Sequence, residues 1–301
     1  MKHIKMSFRA CRGISLLCIL LLSGCRYSFD LQDSGLEPRI CIMSYINEGE
    51  EGTIDIYKTV PVYETGNADM SLTTPSFSLK CNGNEVDAEY EMIGDEGLRI
   101  SHPEFRSGDL LELTASANGL ETVYASTTVP EAFPKFTQQF RFDEDNNRSI
   151  LISYEEGQGK SYYGAVVEYR VPWKVNPNTY SIGFCSPIQG YDELSLDKNA
   201  YSPVVTYIKD RYIFVWNEEA DGEYEIKFSL DYLTQTQKQF RLHLYRLSEE
   251  MYRKLNAEYD ADSNPFAYLG MSSPSFTYTN IRNGVGHFCA CSVTVSDWMT
   301  E

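Results

Sequence analysis

Apolar and polar residues alternate with a period of two over most of the chain from Ile40 onward. This period is typical of half-buried β-strands, because successive side chains of a strand point to opposite faces. In the second half the candidate strands are rich in Tyr, Phe, Val and Ile, which suit a pleated surface. They cover residues 150–152, 162–171, 212–216, 224–228 and 240–245, with a closing strand over 285–295. The pattern predicts a mainly β protein.

Turn residues divide the first half into hairpins. Asn82-Gly83 separates two alternating runs, and both positions of this dipeptide tolerate positive φ, so a tight hairpin is predicted there. Asn118-Gly119 predicts a second hairpin. Pro130 and Pro134 then interrupt the alternation, because proline removes a backbone donor and disfavours a central strand.

The interruption at the prolines predicts a domain boundary. We expect two β-sandwich-like domains joined by a linker at 131–136. The first, 38–130, resembles in its strand count an immunoglobulin-like or transthyretin-like sandwich of about seven short strands. The second, 137–301, is a larger β domain with one short helix. Residues 172–203, rich in Pro, Asn and Ser, are expected to form long loops.

The helix is predicted to begin after Ser248. Ser248 is a suitable N-cap, Glu249 and Glu250 place negative charge in the first turn, and Leu247 can pack onto Tyr252. An apolar stripe at helical spacing should lie on the sheet; it consists of Tyr252, Leu255 and Tyr259.

The first 24 residues have the three parts of an export signal. A basic segment without acidic residues precedes an apolar run from Ile14 to Leu22, and Leu22-Ser23-Gly24-Cys25 then forms a lipobox. The run is about half of the length that spans a bilayer. We expect a lipoprotein signal peptide at 1–24, acylation of Cys25 and a tether at 25–37. The alternative is a signal peptide that is cut elsewhere, with Cys25 present by coincidence.

Charge and cysteine content follow from this processing. The mature chain would keep 43 acidic and 22 basic residues, a net charge of −21, which argues against nucleic acid as a partner. Export permits disulfides. Five cysteines would remain after Cys25, and they are expected to be buried thiols or, alternatively, to form disulfides; they are Cys41, Cys81, Cys185, Cys289 and Cys291.

No familiar catalytic motif is present in the sequence. The mature chain has three histidines, His102, His243 and His287, far apart and expected to be structural; His243 should point outward or into a polar pocket. The spacing of Asp143, Asp145 and Asn147 opens an EF-hand loop, as does that of Asp260, Asp262 and Asn264. Both lack the glycine at position six and the glutamate at position twelve, so EF-hand binding is excluded. We expect no metal and no cofactor.

Aromatic residues and carboxylates leave two further possibilities open. Trp173 and Trp216 are more often core residues than a carbohydrate platform. A carboxylate pair for hydrolysis of glycan or peptide is possible on loops 172–203 and 260–275. The glycines in Asn283-Gly284-Val285-Gly286 are expected to turn the chain into the last strand rather than to contact a ligand.

The tail carries a family resemblance. Asn264-Pro265-Phe266 and the segment 278–288 resemble the closing "NPF … SNIENGLGIFGA" signature of domain of unknown function 4249, a family of Gram-negative outer-membrane lipoproteins. Segments 39–46, 108–130, 161–163 and 247–252 resemble other family segments in the same order. His287 and Cys289-Ala290-Cys291 depart from the signature. The resemblance implies an outer-membrane lipoprotein, often encoded beside a TonB-dependent receptor, and supplies no catalytic residues.

These observations lead to three hypotheses of function. The first is a non-enzymatic accessory or binding protein for an outer-membrane TonB-dependent receptor, held to the membrane through Cys25. The second is a hydrolase that uses the loop-borne carboxylate pair. The third is a structural or adhesive component of the envelope, which would expose a large apolar patch.

Overall fold

The computed structural model describes residues 37–60, 69–94, 97–142, 148–156, 159–172, 180–185, 204–208, 211–218, 222–229, 239–262 and 278–300. The predicted mainly β fold is confirmed. The strands of the first half are β1 Ile40–Asn47, β2 Gly52–Lys58, β3 Ser76–Cys81, β4 Asn84–Glu85, β5 Glu89–Met92, β6 Leu98–His102, β7 Leu110–Ser116 and β8 Val123–Thr128. Those of the second half are β9 Phe136–Phe142, β10 Arg148–Glu156, β11 Ser161–Pro172, β12 Tyr180–Cys185, β13 Val204–Ile208, β14 Arg211–Glu218, β15 Gly222–Ser229, β16 Gln239–Leu247, β17 Val285–Val295 and β18 Met299–Thr300.

One large sheet contains strands from both halves of the chain. Its order is β13-β14-β11-β16-β17-β1-β2-β6-β5, with β12 also paired to β11 and β18 to β16. β1 and β17 pair in parallel, from Cys41 opposite Val285 to Asn47 opposite Cys291. This pairing joins strands from the two predicted domains, whose residue boundaries stay a prediction, as does the immunoglobulin-like or transthyretin-like assignment.

Two smaller sheets cover one face of the large sheet. The sheet β4-β3-β7-β8 packs apolar residues such as Leu79 and Leu113 onto Ile42 and Ile54 of the large sheet. The sheet β15-β10-β9 forms a second core, in which Ile152 meets residues of β11, β14 and β16. Burial of these apolar side chains is the main stabilising term of such layered packing.

The opposite face of the large sheet carries a helix, α1, over Glu249–Asp262. Alternation along β17 shows that the faces differ, because Phe288 belongs to the first core while Cys289 lies under the helix with Met251 and Leu255. The predicted cap is confirmed, since the backbone N–H of Met251 donates to Ser248 Oγ at 3.2 Å. Within the residues that the structure describes, no helix is both long and apolar enough to cross a membrane.

Both predicted hairpins are confirmed. Asn82 and Gly83 have φ of 52° and 78° and connect β3 to β4. The turn that contains Gly119, with φ of 79°, connects β7 to β8. The closing strand has the predicted bounds, and the predicted strands of the second half are present.

Candidate functional site

Several of the residues singled out in the sequence lie outside the described residues. These are Cys25, Asp143, Asp145, Asn147, Trp173 and Asn264. Acylation of Cys25 therefore stays a prediction, and a carboxylate pair on loops 172–203 and 260–275 stays an open hypothesis. Trp216 lies in the second core, 1% exposed.

Cys289 and Cys291 lie on the same strand, β17, whereas Cys41 and Cys81 lie on separate strands. Cys41, Cys289 and Cys291 are buried and Cys81 is partly exposed, and none of these four forms a disulfide. Burial raises the pKa of Cys289 well above its usual range. The Cys291 thiol donates to Asn47 Oδ1 at 2.9 Å. The backbone of Cys185 ends β12, and its side chain lies outside what the structure describes.

His243 lies in a polar cluster on the helix side of the large sheet. Its Nε2 and Arg241 Nε each lie 2.5 Å from Glu168 Oε2. Burial alone would raise the pKa of Glu168 the most, but the hydrogen bonds from Arg241 and His243 together hold it below its usual range. Arg170 and Arg241 stack on the ring of Trp298, at 4.1 and 4.6 Å from its centroid. The cluster is a cross-strand ion-pair network.

A second group of polar residues is buried between α1 and the sheet. Lys254 donates to the hydroxyl of Tyr45 and forms an ion pair with Glu258 at 2.6 Å. The ring of His287 packs 4.5 Å from that of Tyr45. Burial, and secondarily the charge of Lys254, lowers the pKa of His287 to about 4, so this ring is neutral at pH 7.

A cleft opens between β1 and β2 beside this group. The antiparallel pairing of these strands runs from Ile40–Lys58 to Met43–Asp55. It does not continue within residues 40–58, all of which the structure describes, although the strands extend to Asn47 and Gly52. The separation leaves a cavity of about 350 Å³, at the lower end of the range of small-molecule pockets.

Ser44 and His102 line this cleft, and each has a buried polar atom, Ser44 Oγ and His102 Nε2. Their residues are 2% and 3% exposed, and neither atom has a hydrogen-bond partner in the described part of the chain. Gly52 makes room for the imidazole, because a Cβ there would lie 2.7 Å from His102 Nε2.

The protonation of His102 follows from its contacts. Its Nδ1 lies 2.8 Å from the carbonyl oxygen of Pro103, which can only accept, so Nδ1 carries the proton. Burial lowers the pKa of His102, and the Pro103 carbonyl and the charge of Glu51 oppose this only in part. A neutral ring with its proton on Nδ1 presents Nε2 as an acceptor.

Acidic and neutral side chains line the rest of the cleft. Glu50 and Glu51 lie on the turn after β1, Asn47 donates to Glu50 Oε2 at 2.8 Å, and Tyr45 and Thr53 form the walls. Asp55 also lines the cleft and is paired with Arg99 at 2.6 Å. The cleft therefore offers acceptors and negative charge.

Two observations concern metal and nucleophilic groups in the described residues. Among the described residues, no group of three or more His, Cys, Asp and Glu side chains can hold a metal ion. Ser44 has no hydrogen bond to a base in that part of the chain, whereas an activated nucleophile needs one.

Only weak signals for this cleft are present in the sequence. His102 was identified as structural, and Ser44 and Gly52 have the same alternation as their neighbours. The one local signal is the acidic turn Glu48-Gly49-Glu50-Glu51, an ordinary hairpin composition. Separation of two adjacent strands is a tertiary property that no such pattern encodes.

Comparison with known proteins gives a family and little more. No curated protein matches the chain. A matching solved structure is the crystal structure of a DUF4785 family protein from Legionella pneumophila subsp. pneumophila str. Philadelphia 1, with 8% identity over 69% of this chain and 52% of that one, at a TM-score of 0.26. The chain thus spans about half of that protein, and the similarity is too low to assign a fold. The family model described as Domain of unknown function (DUF4249) matches residues 26–297, and the chain belongs to this family.

Proposed function

We propose that the chain is a lipid-anchored, non-enzymatic binding protein that serves an outer-membrane TonB-dependent receptor as an accessory. The observation that carries the binding role is the cleft between β1 and β2, which Ser44 and His102 line together with Glu50 and Glu51; His102 Nε2 is buried and unpartnered among the described residues. A buried polar atom without a partner costs free energy. Such an atom in a native structure calls for an explanation, for example a bound water or ion.

The lipobox supports anchoring of the folded body. Cys25 would carry the acyl chains, and β1, which forms one wall of the cleft, begins at Ile40. An extended chain spans at most about 3.6 Å per residue, so residues 26–39 can reach at most about 50 Å. The cleft would therefore stay close to the membrane surface, within reach of an integral receptor.

The anchoring is tested in cells that produce the full chain with a C-terminal tag. We expect the envelope fraction to contain a mature protein whose first residue, Cys25, carries acyl chains by mass spectrometry. The Cys25→Ser variant should carry no acyl chains and should no longer be recovered with the envelope membranes. An unmodified Cys25 in the wild-type chain, or wild-type chain in the soluble fraction, would overturn the proposal.

The partner is tested by crosslinking intact cells, solubilising the envelope in detergent and recovering the tagged chain. We expect an outer-membrane receptor of the TonB-dependent class to be recovered with the wild-type chain in stoichiometric amount. A different tagged lipoprotein of similar abundance is the control. Recovery of the chain alone would refute the accessory role.

A hydrolase is the second candidate, favoured by one observation. Glu218 is buried near Glu156, and burial, together with the charge of Glu156, raises the pKa of Glu218 to about 7, as in acid–base carboxylate pairs. These residues lie at the ends of β10 and β14, not on the predicted loops. Hydrolysis of a chromogenic glycoside or labelled peptide that Glu218→Gln abolishes would favour this candidate.

A further inference from the structure

The chain contains three Asn-Gly dipeptides, and the structure places them in chemically different surroundings. They are Asn82-Gly83, Asn118-Gly119 and Asn283-Gly284. We infer that Asn118 is a site of spontaneous covalent modification, at which water converts the side-chain amide to aspartate and isoaspartate. This inference goes beyond the proposed function and does not depend on it.

The reaction needs only the chain itself and water. The backbone nitrogen that follows the asparagine attacks the side-chain carbonyl carbon, so that a C–N bond forms. The C–N bond of the amide breaks, and the amide nitrogen leaves as ammonia with the proton of the attacking nitrogen. Water then opens the resulting succinimide ring at one of its two carbonyl groups, which gives aspartate or isoaspartate. Glycine favours the attack because it has no side chain beside the attacking nitrogen.

Asn118 has the freedom that this attack requires. Asn118 and Gly119 are exposed on the turn between β7 and β8. In the described part of the chain, neither the side-chain amide of Asn118 nor the N–H of Gly119 forms a hydrogen bond. The backbone N–H of Asn118 donates to the carbonyl oxygen of Thr73 at 2.8 Å, which holds the turn without fixing the side chain. A Cβ at Gly119 would meet nothing within 4 Å, so the ring has space to form.

The side-chain amide of Asn82 is held at both ends. Its Nδ2 donates to Asp109 Oδ1 at 2.8 Å, and its Oδ1 accepts from the backbone N–H of Leu110 at 3.0 Å. Gly83 is as open as Gly119, since a Cβ there would also meet nothing within 4 Å. The hydrogen bonds of the amide are therefore what protects Asn82, because the amide must rotate before its carbonyl carbon can meet the next nitrogen.

Asn283 is protected by its hydrogen bonds and by crowding. Its Nδ2 donates to the carbonyl oxygen of Thr122 at 3.1 Å. The attacking group is engaged as well, because the N–H of Gly284 donates to the carbonyl oxygen of Ile281 at 3.4 Å. A Cβ at Gly284 would lie 2.6 Å from the carbonyl oxygen of Ile40, so little space is left for a ring at this position.

The modification changes the hairpin that contains Asn118. Both products add a negative charge to the turn, and isoaspartate also adds a methylene group to the main chain. The pairing of β7 with β8 ends at Ala115 opposite Val123, and both residues belong to the first core. The reaction therefore alters a turn that fixes the register of two core strands.

The inference is tested by incubating the full chain, in detergent micelles, in a mildly alkaline buffer made with 18O-labelled water. Peptide mass spectrometry over time measures the incorporation of 18O at each of the three dipeptides. Isoaspartate methyltransferase then labels the isoaspartate that has formed. We expect Asn118 to react about tenfold or more faster than Asn82 and Asn283, because those two must first break hydrogen bonds. In urea all three should react at similar rates, because the dipeptide is the same.

Two variants test the assignment and its cause. Asn118→Gln, at an exposed position, should stop the incorporation of 18O in its peptide, because the longer side chain would have to close a larger ring. Asp109→Ala removes the acceptor of Asn82 Nδ2. It should accelerate the reaction of Asn82 severalfold and leave that of Asn118 unchanged. Thermal unfolding checks that both variants fold, and the comparison of native with urea-unfolded wild-type chain needs no variant.

Three results would overturn the inference. The first is an equal rate at Asn118 and Asn82 in the native chain. The second is the same order of rates in urea as in the native chain, which would show that the neighbouring sequence and not the fold decides the order. The third is an unchanged rate at Asn82 in folded Asp109→Ala, which would remove the protection by hydrogen bonds on which the order depends.

Discussion

The indole Nε1–H of Trp216 donates a hydrogen bond to the hydroxyl oxygen of Tyr154 at 2.9 Å inside the second core. That hydroxyl in turn donates to Glu218 Oε1 at 3.3 Å. Burial of an indole requires a partner for its N–H, and here the partner lies on another sheet. The contact therefore ties β14 of the large sheet to β10 of the small sheet that covers it.

Removing the Tyr154 hydroxyl should destabilise the protein. In Tyr154→Phe the indole N–H of Trp216 loses its acceptor and Glu218 loses a donor, and leaving such groups buried costs about 1–3 kcal/mol. The urea midpoint should fall accordingly. Tyr90→Phe, at a position 63% exposed, is the matched control and should change stability by less than about 0.5 kcal/mol. Equal effects of the two substitutions would contradict the network.

The carboxyl of Glu218 predicts a stability that depends on pH. Burial, and then the charge of Glu156, raises the pKa of Glu218 from 4.5 to about 7 in the folded chain. The folded state therefore binds more protons than the unfolded state between these values. The free energy of unfolding should fall as pH rises from about 4.5 to 7, by about 3 kcal/mol from this group, and stay flat above.

Glu218→Gln isolates this contribution. His287 has the opposite sign, because its pKa is lowered to about 4 and its neutral form is favoured on folding. The difference between the wild-type and Glu218→Gln curves of unfolding free energy removes the contribution of His287. We expect this difference to change across pH 4.5–7, with the variant gaining relative to the wild type as pH rises. Parallel curves would show that Glu218 titrates normally.

Local rules explain which elements the sequence predicts well. The bounds of β17, the Ser248 cap and the Asn82-Gly83 turn each depend on residues within a few positions of one another. Alternation fixes the buried face of a strand, and φ preferences fix a turn. The predictions for these elements are confirmed because their structure does not depend on residues that are distant in the sequence.

Pairing partners and the candidate site depend on distant residues. Cys41 on β1 pairs with Val285 on β17, and Glu168 on β11 contacts His243 on the neighbouring strand β16. Nothing in the sequence near Cys41 or Glu168 specifies these partners. The cleft arises where β1 and β2 separate after Met43 and Asp55. Alternation is the same before and after that point, so the sequence identified His102 only as structural.

The parallel pairing of β1 with β17 predicts a strict requirement for glycine at 286. Gly286 has φ of +99°, and a Cβ there would lie 2.1 Å from the carbonyl oxygen of Ile42. Gly286→Ala should therefore cost more than about 3 kcal/mol or prevent folding, because backbone strain and a clash with backbone act together. Gly49→Ala is the control, with φ of +70° but nothing within 4 Å, and should cost about 1 kcal/mol. Similar urea midpoints for the two variants would contradict the close approach.

Burial of the thiols predicts their order of reaction with iodoacetamide. The thiolate is the reactive form, and burial raises the pKa of Cys41, Cys81 and Cys289 alike, so access of the reagent decides the order. Cys81 is only partly buried, so it should be alkylated first under native conditions. Cys41, Cys289 and Cys291 should react only after denaturant is added, as measured by peptide mass spectrometry over time.

The variant Cys81→Ser tests whether the buried thiols stay protected from iodoacetamide when Cys81 is absent. It should remove the fast alkylation of the Cys81 peptide without exposing Cys289 or Cys291, because Cys81 packs against the edge of the first core while the other two lie under α1. Alkylation of Cys289 at the rate of Cys81 in the native wild-type chain would show that α1 does not cover β17. That result would also weaken the ligand site, since Tyr45 on the wall of the cleft is held by Lys254 of the same helix.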